Sequence, residues 1–201
     1  MAKRALKSGR ANINPATLKE WVGKAKKGNI ASYQDIYGAY AHKILNFIYR
    51  MVNSPEEAED LTQETFIAVY QNLGALKDIE KFEPWLFRIA RNFVYQRYRS
   101  HSSSTVSIDE RDEDGLAVTQ LAEPGKNPEE ALQSAELDNI VAGAIADLPE
   151  KYREVFVLSA LHHLSYQQIA EIVGRSLPSV KTDIHRARLE VRDRVKNYLK
   201  A

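Results

Sequence analysis

The 201 residues suffice for one large domain or two small ones. The chain has no cysteine, which excludes disulfides, thiolate metal sites and cysteine nucleophiles. Its 28 basic and 27 acidic residues nearly cancel, so the total charge identifies no partner. No apolar run approaches the ~20 residues of a membrane span, and no apolar signal-peptide core follows the basic N-terminus. We therefore expect a soluble, cytoplasmic protein.

The charge is distributed unevenly along the chain. Residues 81–100 carry five bases and one acid, and residues 175–200 carry eight bases and three acids. Between them, residues 101–130 carry two bases and eight acids. Two basic modules joined by an acidic segment are an unusual layout for an enzyme core.

The first predicted elements are helices. Helical patterning begins near Pro15, and across 30–52 the large apolar side chains recur at the spacing of a long amphipathic helix. Ser54 followed by Pro55 predicts the start of another helix, which runs to about Leu73. Its outer surface carries four notable side chains, Asp60, Gln63, Glu64 and Phe66. An exposed phenylalanine among acids and amides is either a lone apolar surface residue or part of a docking face for another protein.

Residues 74–83 are predicted to form a loop, after which Pro84 opens a helix that ends near Ser100. One face of this helix is apolar: Leu86, Phe87, Ala90, Phe93 and Val94. The opposite face combines arginines, aromatic rings and an amide: Trp85, Arg88, Arg91, Asn92, Tyr95 and Arg99. Arginine binds phosphates, and aromatic and amide groups stack on or pair with unstacked bases. This mixture suits single-stranded nucleic acid better than a duplex groove, although a basic surface helix with a packed tryptophan would look similar.

Residues 101–127 are rich in serine, acids, glycine and proline and have no helical periodicity, which indicates a linker. Helices resume at Pro128, and a further helix is predicted near Pro149. No segment alternates as a β-strand does. The predicted fold is therefore all-α: two small helical domains, 15–100 and 129–201, joined by an acidic flexible linker, 101–128.

The stretch from Ser165 to Leu199 predicts a helix-turn-helix. Ser165 and Gln168 fit a capping box, and Gly174 suits the turn that ends the first helix. The second helix has one apolar stripe, Val180, Ile184, Ala187, Val191, Val195 and Tyr198. A second stripe, roughly 110° away, is basic: Lys181, His185, Arg188 and Arg192, flanked by Thr182 and Arg186. This favours DNA contact, because a solvated surface helix usually intersperses acids four residues from its bases.

Four blocks of the chain together resemble one family. They are DLTQETF (60–66), FEPWLFRIARN (82–92), LPEKYREVFVL (148–158) and SYQQIAEIVG with SVKTDIHRAR (165–188). In this order they resemble the extracytoplasmic-function sigma factors of bacterial RNA polymerase, over about 15–100 and 130–199. The resemblance implies a transcription initiation factor without catalysis or cofactor. Its N-terminal domain would bind the promoter's −10 element, and its helix-turn-helix the −35 element.

The resemblance also implies three sets of site residues. The polymerase set would dock on the coiled coil of the large polymerase subunit: Asp60, Gln63, Glu64 and Phe66. The −10 set would capture the melted strand and hold a flipped base: Lys77, Asp78, Lys81, Phe82, Trp85, Arg88, Arg91, Asn92, Tyr95 and Arg99. The −35 set would contact the duplex: Arg175, Ser176, Ser179, Lys181, Thr182, His185, Arg186, Arg188 and Arg192. The acidic linker would thread the polymerase's nucleic-acid channel, and an anti-sigma factor is an expected partner.

Four residues depart from the pattern of this family. Gln96 stands where many members carry an acid, and Leu177-Pro178 stands where many carry a small pair. Asp183 stands in the recognition helix where many members carry arginine. An acid at the groove would repel phosphate or accept a hydrogen bond from a cytosine amine.

Two other functions are open to a chain of this pattern. A conventional helix-turn-helix regulator would bind duplex operators and use its N-terminal half to sense a ligand or to dimerise. The face around Trp85 has no obvious use in a ligand pocket. An enzyme such as a nuclease would need a glycine-rich phosphate loop, a metal-ligand cluster or a catalytic dyad, and the sequence has none at a recognisable spacing.

Overall fold

The structure of the protein is a computed structural model that describes residues 13–103 and 128–198. These two ranges contain eight α-helices and no β-strand, which confirms the predicted all-α class. The acidic linker was predicted over 101–128, and its residues 104–127 lie outside the described part of the chain.

The N-terminal half consists of four helices: α1 (Pro15–Ala25), α2 (Ile30–Val52), α3 (Pro55–Asn72) and α4 (Phe82–Ser103). Their boundaries follow from local capping. The amide oxygen of Asn29 accepts from the Ser32 backbone, and the Ser54 hydroxyl accepts from the Glu57 backbone. Asn53 ends α2 in the left-handed conformation, which asparagine tolerates better than most residues.

The connection between α3 and α4 is more ordered than the predicted loop. It contains two 3₁₀ turns, Leu73–Ala75 and Ile79–Lys81, and α4 begins at Phe82, two residues before the predicted start. Pro84 therefore lies inside the first turn of α4, where its missing N–H removes no helical hydrogen bond.

The apolar face of α4 forms the centre of the N-terminal core, as its periodicity predicts. Four of its five predicted core residues are buried and Phe93 is half-buried. Phe87 packs edge to face on Phe47 of α2, with 5.5 Å between the ring centroids.

The C-terminal half also consists of four helices: α5 (Pro128–Ala146), α6 (Glu150–Phe156), α7 (Tyr166–Val173) and α8 (Leu177–Tyr198). The predicted capping box is present. The Ser165 hydroxyl accepts from the Gln168 backbone at 3.2 Å, and the Gln168 side chain accepts from the Ser165 backbone at 2.9 Å. Gly174 ends α7 with φ of 68°, which requires little of a residue without Cβ. The predicted helix-turn-helix of α7 and α8 is confirmed.

The apolar stripe of α8 is buried from Val180 to Val191, and Val195 is half-buried. Tyr198, the last residue of the stripe, is 67% exposed. In the described part of the chain, no element covers the last turn of α8.

The two halves pack directly against each other. Helix α4 lies on α7, and α2 contacts α5 and α6. A short π-helix, Val157–Leu161, follows α6 and ends at His162. The His162 ring packs on Phe47 and Phe87, with 6.2 and 5.0 Å between the ring centroids. The cores of the two halves are therefore continuous. The sequence analysis predicted two domains joined by a linker and did not predict this contact between them.

Candidate polymerase and nucleic-acid interfaces

The outer face of α3 carries most of the polymerase set. Asp60, Gln63 and Glu64 are exposed, as predicted. The prediction of an exposed Phe66 is wrong: only 4% of this residue is accessible. Its ring packs edge to face on Tyr37 of α2 with 4.8 Å between centroids, because Phe66 lies at the seam between the two helices and not on the outer face.

Two apolar side chains extend the exposed face of α3 and were missed from the sequence. Ile67 and Tyr70 are both exposed, four and seven residues after Gln63, and so lie on the same side of the helix. The Tyr70 ring also packs on Tyr33 of α2, with 4.9 Å between centroids. The face therefore combines acids, an amide and a contiguous apolar surface.

The loop part of the −10 set divides into exposed and structural residues. Lys77 and Lys81 are exposed. Asp78 is exposed too, but its carboxylate accepts from the Glu80 backbone at 3.0 Å and caps the second 3₁₀ turn. The assignment of Phe82 to contact with the melted DNA strand is wrong, because this residue is 0% exposed. Its ring lies 5.6 Å from that of Tyr40, so burial in the core of the N-terminal half keeps it from a base.

The mixed face of α4 is split into two strips. Arg88, Asn92 and Arg99 are exposed, and no described group forms a hydrogen bond or ion pair with their side chains. Trp85 is half-buried against Phe82. The other strip faces α6.

Arg91 and Tyr95 form this second strip, and both are half-buried. The guanidinium of Arg91 lies 4.3 Å from the centre of the Tyr95 ring, in a cation–π arrangement. Both side chains donate hydrogen bonds to Glu154 of α6, Tyr95 at 3.2 Å. The face predicted to meet single-stranded nucleic acid is thus partly occupied by the other half of the chain.

Glu154 was not singled out from the sequence, because it follows Glu150, Lys151 and Arg153 and resembles one more charged surface residue. Its side chain is 1% exposed, and its carboxylate also lies 3.9 Å from the guanidinium of Arg175. Burial raises the pKa of Glu154, while Arg91 and Arg175 act to lower it. Burial and this carboxylate together raise the pKa of Tyr95 to about 12, so the phenol remains a hydrogen-bond donor.

The −35 set forms an exposed basic stripe along α8. Lys181, Thr182, His185, Arg186, Arg188 and Arg192 are all exposed, together with Ser176 in the turn. Two of the arginines donate hydrogen bonds to neutral hydroxyls of the same half: Arg186 to Tyr152 and Arg188 to Ser159, each at 3.3 Å. Ser179 and Arg175 are half-buried.

The expectation that Asp183 lies at the groove is wrong. This residue is 3% exposed, because it stands three residues after Val180 and four before Ala187 on the buried side of α8. Arg175 donates to its carboxylate at 2.5 Å, and the Lys151 ammonium lies 3.4 Å from it. Asp183 ties the turn and α6 to α8, out of reach of a base.

No helix of the described residues is long and apolar enough to cross a membrane.

Comparison with known families places both halves. Residues 36–104 match the model of Sigma-70 region 2, and residues 138–191 match that of Sigma-70, region 4. The first range contains α3, α4 and most of α2. The second contains α6, α7 and parts of α5 and α8.

Three curated relatives are similar over most of their length. The chain is 36% identical over 182 residues to the ECF RNA polymerase sigma factor SigW of Bacillus subtilis (strain 168), covering 90% of this chain and 97% of that protein. It is 31% identical over 161 residues to the RNA polymerase sigma factor YlaC of the same strain, covering 80% and 90%. It is also 31% identical over 185 residues to the ECF RNA polymerase sigma-E factor of Escherichia coli (strain K12), covering 89% and 94%.

Two solved structures share the fold. CnrH, in complex with the cytosolic domain of CnrY, aligns with a TM-score of 0.65 and 20% identity over 90% of this chain and 98% of that chain. The sigma factor RpoE of Bartonella quintana, in complex with the anti-sigma factor NepR, aligns with a TM-score of 0.64 and 21% identity over 82% and 96%.

Proposed function

The chain belongs to the extracytoplasmic-function (ECF) sigma factors of bacterial RNA polymerase, and we propose how its faces divide the work. It binds core RNA polymerase and directs promoter-specific initiation of transcription. The family consists of initiation factors without enzymatic activity, and this chain supplies no catalysis of its own. It acts in the cytoplasm, where RNA polymerase and the promoters are.

The exposed face of α3 binds the coiled coil of the large polymerase subunit. Asp60, Gln63 and Glu64 supply charge and hydrogen-bonding groups. Ile67 and Tyr70 supply the apolar centre that protein interfaces usually need. Phe66 supports this face from below by fixing α3 on α2.

The exposed strip of α4 binds the melted −10 strand. Arg88 and Arg99 contact phosphates, Asn92 pairs with a base edge, and Trp85 offers an aromatic surface for stacking. Lys77 and Lys81 extend the positive charge along the neighbouring loop. Stacking contributes roughly 1–3 kcal/mol per base, which offsets the few kcal/mol that flipping a base costs.

Helix α8 binds the −35 duplex in its major groove. Lys181 and His185, near the start of the helix, reach base edges, as the first residues of a recognition helix do. Arg186, Arg188 and Arg192 lie further along the exposed stripe and contact phosphates or guanines. Arg175 holds the turn in place through Asp183.

An anti-sigma factor is the remaining partner. RpoE was solved in complex with the anti-sigma factor NepR, and CnrH in complex with the cytosolic domain of CnrY. For this chain, an anti-sigma factor covers the α3 face and so prevents binding of the polymerase.

The observation that carries the proposal is the presence of exposed arginines on two separate halves of the chain, beside the half-buried Trp85 on α4 and along the exposed stripe of α8. The test is copurification with core RNA polymerase followed by run-off transcription. We expect promoter-specific transcripts only when chain and core are both present, and weak binding of promoter duplex by the chain alone. A conventional regulator would instead bind the duplex equally well with and without polymerase.

A further inference from the structure

The exposed strip of α4 contains one side chain that the proposed function does not use. Gln96, one of the residues that depart from the family pattern, is exposed, and its amide has no hydrogen-bond partner among the described residues. At about 100° per residue, it lies about 40° around the helix from Asn92 and about 80° from Arg88. The strip therefore carries two neighbouring amides, which are about 6 Å apart along the helix axis.

Two exposed arginines flank these amides. Arg88 precedes Asn92 by four residues, and Arg99 follows Gln96 by three, so the two arginines are about 16 Å apart along the axis of α4. Arginines at both ends can bind phosphates of one strand, while the amides between them face its bases. The neutral glutamine also leaves Arg99 available for DNA, whereas a glutamate three residues before an arginine would form an ion pair with it.

The aromatic rings of α4 do not share this part of the surface. The described rings that follow Trp85 in α4 are buried or half-buried. Tyr95 and Tyr98 donate their hydroxyl groups to acceptors on α6 and α2. Stacking on a ring tolerates any base, whereas an amide distinguishes bases through its hydrogen bonds. The surface around Gln96 therefore suits recognition of base identity better than stacking.

We propose that Gln96 is a specificity residue of the −10 interface and reads an adenine one or two nucleotides away from the base that Asn92 contacts. The carboxamide of glutamine offers a donor and an acceptor side by side, which match the N7 acceptor and the N6 amino donor of adenine. A stacked strand advances about 3.4 Å per nucleotide, so the separation of the two amides corresponds to one or two nucleotides. The inference rests on the proposed role of α4 and adds a base preference to it.

The first test compares the base preferences of the unmodified chain and of two variants. Holoenzyme assembled with each chain selects DNA from a promoter library with a randomised −10 region, and the retained DNA is sequenced. We expect the unmodified chain to favour adenine about five- to tenfold at one position. Gln96→Ala should abolish this preference and leave the other positions unchanged. Gln96→Glu should change the preference to cytosine at the same position, because a carboxylate accepts a hydrogen bond from the N4 amine of cytosine.

The matched control is Gln34→Glu, which makes the same substitution at an exposed position of α2 outside the three sets of site residues. This variant should select the same sequences as the unmodified chain. Identical preferences of Gln96→Ala and the unmodified chain at every position would overturn the proposal. A loss of preference spread over all positions would overturn it too, because it would indicate a contact that does not depend on base identity.

The second test removes the proposed acceptor from the DNA. A template with 7-deazaadenine at the selected position lacks the N7 acceptor but keeps the N6 amine. Binding of the unmodified holoenzyme, measured by anisotropy, should weaken about three- to fivefold through the loss of one hydrogen bond. Holoenzyme with Gln96→Ala should bind both templates equally. Equal weakening for both chains would assign the N7 contact to another residue and contradict the proposal.

The selection experiment also distinguishes this inference from the proposed function. If the holoenzyme retains no promoter sequence from the library, the proposed function is wrong and this inference is wrong with it. If the holoenzyme selects a −10 sequence that Gln96→Ala leaves unchanged, only the role of Gln96 is refuted.

Discussion

The α4 face and the α8 face both carry arginines, but they are built differently. On α8 the basic side chains project into solvent, and two of them lean on neutral hydroxyls of the same half. On α4 the arginines alternate with rings, and Arg91 and Tyr95 are held by an acid of the other half. Aromatic surface that stacks on bases is also surface that protein can cover. A single-strand face is therefore easier to mask than a duplex face, which needs mainly solvated charge.

The largest expected effect distinguishes a residue that stabilises the core beneath the α4 face from one that contacts DNA. Phe82 lies in the core, so Phe82→Ala should lower the free energy of unfolding by about 3–5 kcal/mol. Urea denaturation measures this loss. A variant as stable as the unmodified chain but defective in strand binding would instead restore Phe82 to the −10 set. Ile67→Ala on the exposed face of α3 is the control, expected to change stability by no more than about 0.5 kcal/mol.

The comparison also indicates which parts of the molecule local sequence rules can predict. The helix-turn-helix follows from signals that act over a few residues: Ser165 caps Gln168, and Gly174 ends the helix. The exposed stripe of α8 follows from helical periodicity alone. These features need no knowledge of the rest of the chain.

Contacts between distant segments could not be predicted in this way. Arg91 and Glu154 are 63 residues apart, and Arg153 reaches a carbonyl 102 residues away, so no periodic pattern relates them. Periodicity also places a residue on a side of a helix without saying which neighbour covers it. Phe66 and Asp183 lie at such boundaries, beside α2 and beside Arg175, and their predicted exposure was wrong for that reason.

The next effect concerns the α8 face alone. Arg188→Ala should weaken binding of the holoenzyme to a −35 duplex by about 1–3 kcal/mol if the arginine contacts a base. Binding of the holoenzyme to a preformed −10 bubble without a −35 element should be unchanged, because Arg188 lies on the other half. Anisotropy with duplex and bubble templates distinguishes the two steps. Equal losses on both templates would contradict the division of labour between the faces.

A smaller effect is the pH dependence of stability that follows from the packing of His162 on Phe47 and Phe87. Burial lowers the pKa of His162 to about 3 from an ordinary 6.5, with Lys43 and the neighbouring histidines His163 and His42 adding to the shift. Below pH 6.5 the unfolded chain takes up a proton that the folded chain does not bind until about pH 3, so stability is lost as pH falls. Between pH 7 and 5.5 the loss amounts to about 1 kcal/mol.

The measurement is thermal or urea unfolding across that pH range for the unmodified chain and for His162→Leu. The variant should lack this part of the slope. The raised pKa of Glu154 acts in the opposite sense, since the folded state then takes up its proton first as pH falls, but this contribution is common to both proteins. Identical slopes would place a charged or solvated imidazole at the interface and contradict its contact with Phe47 and Phe87.

The smallest expected effect isolates the exposed strip of α4. Asn92 is exposed and its side chain has no hydrogen-bond partner among the described residues, so Asn92→Ala should leave the free energy of unfolding and the affinity for the −35 duplex unchanged. It should slow strand opening by about two- to fivefold, the loss of one hydrogen bond of about 0.5–1 kcal/mol. Permanganate reactivity of unpaired thymines in the holoenzyme complex follows this step. If the variant opens promoters at the original rate but binds the −35 duplex more weakly, the assignment of Asn92 to the melted −10 strand is wrong. In that case α4 as well as α8 contacts the duplex.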